Sequence, residues 1–120
     1  MTTMLLGLRT CIYRVPDIEK AKKWYSSVFE ITPNFDEPYY VGFSVGTFEL
    51  GLQPEEEKQA AKVENVLCYW SVKDVSKVMN HLILQGASLH EKPQNVGEGI
   101  IVASVRDPWN NVIGLISEGQ

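Results

Sequence analysis

The sequence has little from which a covalent or metal framework could be built. Its 120 residues include two cysteines, Cys11 and Cys68, and two histidines, His81 and His90. No Cys-x-x-Cys pair of the metal-binding kind occurs, and neither histidine has a His or Cys partner at usable spacing. Clustered positive charge is missing too. Net charge is −4, and no block of Lys and Arg appears. A general affinity for nucleic acid or an anionic membrane needs such clusters, so both are excluded as partners. No apolar run approaches the roughly 18 residues of a membrane span. Met1 to Leu8 is too short for a signal peptide and lacks its charged start. Gly97 and Gly99 form no GxGxxG phosphate loop. None of the serines stands in a nucleophile-elbow context.

What is present is a repetition. Arg14-Val15-Pro16-Asp17-Ile18-Glu19-Lys20-Ala21 reads as a strand end, a helix cap and a first helical turn. Ser71-Val72-Lys73-Asp74-Val75-Ser76-Lys77-Val78 reads the same way, 57 positions later. Each aspartate can accept hydrogen bonds from free helix N–H groups and meets the positive end of the helix dipole. Cys11 and Cys68 share the same offset, on predicted strands, and read as small buried apolar residues of a reducing, cytoplasmic protein.

In chain order, residues 8–15 predict a strand with Cys11, Tyr13 and Val15 on one face and Thr10, Ile12 and Arg14 on the other. A helix is predicted over 17–30, with Ile18, Ala21, Tyr25, Val28 and Phe29 inward. Residues 31–35 predict a short strand or irregular edge. Residues 39–45 and 47–53 predict paired strands around a turn at Gly46. Phe48, Leu50 and Leu52 are expected on the helix side. The charged stretch that follows reads as a surface linker, with room for a helical turn.

The second half predicts a strand over 65–72, a helix over 74–85 ended by Gly86, a short strand over 88–92 and a loop over 93–99. Strands over 100–106 and 112–117 flank the turn Asp107-Pro108-Trp109-Asn110-Asn111. Trp24 and Trp70 are expected in the core. The fold class is α+β: one domain over 1–120, with βαβββ modules at 6–54 and 65–117 and a linker at 55–64.

The strand faces turned away from the helices mix Thr10, Arg14, Glu49, Tyr69, Ser104 and Arg106 with apolar groups. A plainly solvated face would be more uniformly polar. Such a mixture suits the wall of a small-molecule cleft.

The two βαβββ modules, the Val-x-Asp starts and the closing Asp-Pro-x-x-Asn turn together resemble the vicinal oxygen chelate superfamily. This is the glyoxalase, bleomycin resistance protein and extradiol dioxygenase group. The resemblance covers about residues 6–117 and implies mixed sheets curling into an open cup that holds a small organic ligand, in a homodimer. It also implies four metal-ligand positions, which fall at Thr10, Glu49, Leu67 and Gly114. Glu49 is the only ligand-type residue among them, so no metal and no cofactor is expected. The function expected is metal-independent binding of a small molecule. The alternatives are a metal-dependent lyase, isomerase or dioxygenase with a non-standard site, and a structural or regulatory partner domain. Ligand-binding candidates are Thr10, Arg14, Tyr40, Glu49, Tyr69, Arg106 and Trp109. Glu49 reads as a ligand-binding carboxylate or base, or as the partner of Arg14 or Arg106 in a salt bridge. Tyr40 and Tyr69 read as cup walls or packing rings. Trp109 reads as a lid, a dimer contact or an incidental exposed ring.

Overall fold

A computed structural model describes residues 4–56, 62 and 65–118. The chain divides into two compact units, Met1–Lys58 and Gln59–Gln120. In the first, β1 (Thr10–Val15) leads into α1 (Ile18–Phe29), followed by β2 (Phe35–Glu37), β3 (Tyr40–Val45) and β4 (Phe48–Pro54). The second runs β5 (Tyr69–Ser71), α2 (Val75–Leu84), β6 (Ser88–Asn95), β7 (Ile100–Arg106) and β8 (Val112–Glu118). Each unit has one mixed four-stranded sheet, ordered β1-β4-β3-β2 and β5-β8-β7-β6, and neither closes into a barrel. In each, the first strand lies parallel to the last, and the remaining pairings are antiparallel.

The helices start where the repeated aspartates stand. Asp17 Oδ1 accepts from Lys20 N at 3.2 Å, and Asp74 Oδ1 from Lys77 N at 3.1 Å. Both caps have extended backbone, and each contributes about 1 kcal/mol to its helix. Helix α1 ends at Glu30 with φ 55°, and α2 runs into Gly86 with φ 115°.

The first unit buries Tyr13 and Val15 of β1, Ala21, Tyr25 and Val28 of α1, and Val41, Phe43, Leu50 and Leu52 of the sheet. Tyr25 stacks on Tyr13 with ring centres 5.9 Å apart and takes the edge of Trp24 at 4.9 Å. The second buries Val75 and Leu82 of α2 against Ala103, Val105, Ile113 and Leu115. Full burial of side chains of this size contributes about 2 kcal/mol each.

Several elements differ from expectation. The edge strand near Pro33 lies later, at Phe35–Glu37, because its pairing is set by Phe35 opposite Gly42. The strand of residues 65–72 is confined to Tyr69–Ser71, although Gly114 N still bonds Cys68 O and Val72 N bonds Ile116 O. Strand β6 continues through Pro93 to Asn95, where a loop was expected. Pro93 is tolerated because β6 is an edge strand and its register shifts between Glu91 and Gln94. Phe48, at the strand start, is 44% exposed. Trp24, Trp70, Cys11 and Cys68 are partly exposed, and both cysteines are free thiols. Most of the expected linker lies outside the described residues.

The turn between β7 and β8 is organised by Asp107, which is 3% exposed. Its Oδ1 accepts from Trp109 N at 2.9 Å and Asn111 N at 2.8 Å, and its Oδ2 from Asn111 Nδ2 at 3.1 Å. Asp107→Ala leaves these donors without their acceptor and should destabilise the fold by about 3 kcal/mol. Urea denaturation monitored by tryptophan fluorescence checks this; a loss below about 0.5 kcal/mol would mean that water replaces the carboxylate without cost.

Candidate functional site

The sheet face of the first unit turned away from α1 carries a polar constellation built on two glycines. Gly42 of β3 and Gly51 of β4 are direct cross-strand partners. A Cβ at Gly51 would collide with the Tyr40 hydroxyl. One at Gly42 would stand 2.5 Å from Glu49 Oε2 and 3.3 Å from Tyr40 Cε2. The bare backbone of this pair is therefore the floor on which the Tyr40 ring and the Glu49 carboxylate lie. Phe35, opposite Gly42, continues the surface, with its ring centre 6.1 Å from that of Tyr40 and 6.1 Å from that of Tyr39.

Glu49 faces Thr10 across the parallel pairing and Ser44 across the antiparallel one. Thr10 Oγ1 donates to Glu49 Oε1 at 2.9 Å. Arg9 Nη1 donates to Thr10 Oγ1 at 2.6 Å and to Glu49 Oε1 at 3.3 Å. The Tyr40 hydroxyl is a further donor to the carboxylate. Three donors thus hold the Glu49 side chain, which is 20% exposed. The Arg9 side chain is 84% exposed, so that ion pair is worth at most about 1 kcal/mol. The Tyr40 phenol is pushed above its ordinary value, first by burial and then by its bond to Glu49 and the charge there, while Arg9 pulls it back down. Tyr40 is therefore a neutral donor on this face, not a base.

The expected salt bridge between Glu49 and Arg14 does not form; Arg14 Nε instead donates to Gln53 Oε1 at 3.1 Å. Arg14 and Gln53 are direct partners across β1 and β4, four positions along from Thr10 and Glu49. That distance along the strand separates the two pairs. Arg9 was missed because strand alternation assigns it to the opposite face. It precedes β1, where alternation no longer constrains it.

The remaining candidates belong to the second unit. Tyr69 is 41% exposed and lies against Gly114, its partner across β5 and β8. Arg106 ends β7 opposite Val112, and Trp109 stands in the turn that Asp107 organises. One cluster there carries no sequence signal. Ser104 is fully buried; its Oγ lies 2.8 Å from His90 Nδ1 and donates to Glu91 Oε1 at 3.1 Å. A serine hydroxyl has one hydrogen; given to Glu91, it leaves the Ser104 oxygen free to accept from a protonated His90 Nδ1. Adjacent strand residues normally point to opposite faces. The register shift between Leu89 and Glu91 brings His90 and Glu91 to one hydroxyl.

The sequence profile of the glyoxalase/bleomycin resistance protein/dioxygenase superfamily matches residues 7–115. The chain belongs to this superfamily. Solved structures agree on the fold. A family enzyme from Burkholderia phytofirmans PsJN has a TM-score of 0.76 at 20% identity, over 91% of this chain and 96% of the other. A glyoxalase-related enzyme from Fulvimarina pelagi has 0.74 at 17%, over 97% and 96%. Lactoylglutathione lyase from Agrobacterium tumefaciens has 0.70 at 16%, over 96% of each chain. No curated protein matches the sequence.

The superfamily's metal positions can now be checked against strand register. Ile12 pairs with Gly51, and Tyr69 pairs with Gly114. Ile12 and Tyr69 are separated by the same 57 positions as the helix caps. The counterpart of Gly114 is therefore Gly51, and that of Glu49 is Val112. Matching Glu49 with Gly114 by local sequence is two residues out of register. In register the four positions hold Thr10, Gly51, Leu67 and Gly114, which offer one neutral oxygen donor between them. Among the described residues, no three His, Cys, Asp or Glu side chains converge as metal ligands. This donor set does not fit a divalent ion, which generally takes about three protein ligands in a catalytic site.

The raised Tyr40 value gives a prediction with a defined sign. Stability from its protonated hydroxyl is complete below the unfolded value, about pH 10, and is lost as pH rises through the folded value. Ultraviolet titration should place Tyr40 in the part of the curve above the ordinary tyrosine range, and Tyr40→Phe should remove one tyrosine's amplitude from that part. Amplitude lost from the ordinary range instead would show that the hydroxyl does not donate to Glu49.

Proposed function

We propose that the chain is a metal-independent small-molecule-binding protein whose principal contact is the Tyr40–Glu49 face of the first unit. The observation that carries this reading is the bare Gly42–Gly51 floor, which lets an aromatic ring and a carboxylate lie side by side on the sheet face turned away from α1. Phe35 and Tyr40 provide flat contact area with little conformational entropy to lose. Glu49, held by Thr10, Arg9 and Tyr40, provides a fixed acceptor for a cationic or hydroxyl group of the ligand. A neutral Tyr40 and a carboxylate already supplied with donors are better suited to holding a ligand than to taking its proton. Arg14 lies on β1, four residues along from Thr10, and Tyr69, Arg106 and Trp109 are the proposed ligand contacts of the second unit. The donor set at the four superfamily positions supports metal independence. A cytoplasmic homodimer is part of the same proposal.

Native mass spectrometry of the purified protein should show a small organic compound retained on the wild type. Glu49→Gln should bind it at least about tenfold more weakly, the loss expected for a charge-assisted hydrogen bond. Its melting temperature should remain within a few degrees of wild type. Unchanged affinity would reduce Glu49 to a structural charge. A stoichiometric transition metal, removed by chelator with loss of binding, would overturn metal independence.

A further inference from the structure

The second unit has a recess of about 580 Å³ where α2 begins, near the ends of β6 and β8. Ser117, on β8, belongs to the helix-facing row Ile113, Leu115, Ser117, in which the first two residues are fully buried. By the register above, the corresponding row in the first unit is Leu50, Leu52, Pro54. Position 117 thus carries a hydroxyl where the first unit has a proline that can donate nothing. Ser117 is 8% exposed and lines the recess, and its hydroxyl has no hydrogen-bond partner among the described residues. It is not sealed in the core without a partner either, so its polar atom opens onto the recess.

Opposite it stands the start of a ten-residue helix. Asp74 Oδ1 takes Lys77 N, but the N–H groups of Val75 and Ser76 have no acceptor within the helix. Both residues line the recess, together with Lys73, Gln94 and Asn95. Asn95 Oδ1 is occupied by Gly97 N at 2.9 Å, which leaves its amide hydrogens as donors. The recess is thus lined by residues that carry backbone N–H groups, hydroxyls, amides and a lysine, at the end of the helix where the dipole is positive. Asp74 is the opposing charge, and its neighbour Lys73 offsets it.

We propose that this recess is an oxyanion subsite, taking the phosphate or carboxylate group of a small ligand. It uses only residues of the second unit and does not rest on the Tyr40–Glu49 reading. The test is amide chemical-shift titration of the full chain with inorganic phosphate and, separately, acetate, each against chloride at equal ionic strength. Saturable shifts of the Val75 and Ser76 amides with either anion are expected, and the anion that saturates first assigns phosphate or carboxylate. Ile18 and Glu19, at the start of α1, are the internal control, because they have an equal dipole and cap but no hydroxyl like that of Ser117.

Ser117→Ala should weaken binding about fivefold or more. Its melting temperature should hold or rise, since an unpaired buried hydroxyl stabilises nothing. Asp74→Asn keeps a good cap while removing the negative charge, and should tighten binding. Equal shifts at both helix starts, no saturation with either anion, or unchanged binding in Ser117→Ala would overturn the proposal.

Discussion

Each unit depends on one constraint: its first strand must lie parallel to its last. A parallel neighbour cannot be reached by a tight turn, so the chain has to cross over. The helix provides that crossing, and the aspartate cap fixes where it starts. Once β1 is paired with β4, and β5 with β8, the face of every residue on those strands is determined. Tyr13 and Val15 then meet the helix, while Thr10 and Ile12 line the other face. The opposition of Thr10 and Glu49, from which the candidate site grows, is a direct product of this pairing.

The same pairing explains why glycine stands at 51 and 114. These positions correspond in the two units, but what fills the freed space differs. At Gly51 the neighbour is the Tyr40 hydroxyl, which arrives from the adjacent strand. At Gly114 it is the Cys68 carbonyl and the Tyr69 ring, from the parallel partner. One backbone solution has thus been used to place two different aromatic rings. The Tyr40 ring is accompanied by the Glu49 carboxylate, whose counterpart by register is Val112. Two of the four superfamily metal positions are these same glycines, which offer no side-chain donor.

Much of the fold could be read from periodicity. Both helices, both caps and the Ile100–Arg106 strand follow directly from apolar spacing and turn chemistry. Local pattern failed where register decided the outcome. Phe35–Glu37 has no alternation and becomes a strand only because β3 offers it an edge. Tyr69–Ser71 is shorter than its apolar run. Pro93 reads as a break, yet an edge strand with a register shift accommodates it. The site was legible in part: Thr10, Tyr40 and Glu49 were named and do meet. Arg9 was lost to an alternation rule that stops at the strand end. The contact of His90 with Ser104 depends on a bulge, which leaves no signature in composition or spacing.

Strand β6 has a consequence beyond its own sheet. An edge strand presents unpaired backbone groups, and an eight-residue edge would be an open template for a strand from another chain. Here Lys92 and Pro93 fall in the middle of it, and the ladder is interrupted between Leu89 and Glu91 and again between Glu91 and Gln94. No run of regular, evenly spaced donors and acceptors remains for a foreign strand to copy. The irregularity that gathers His90, Glu91 and Ser104 is thus of the kind by which natural edge strands resist pairing with another chain.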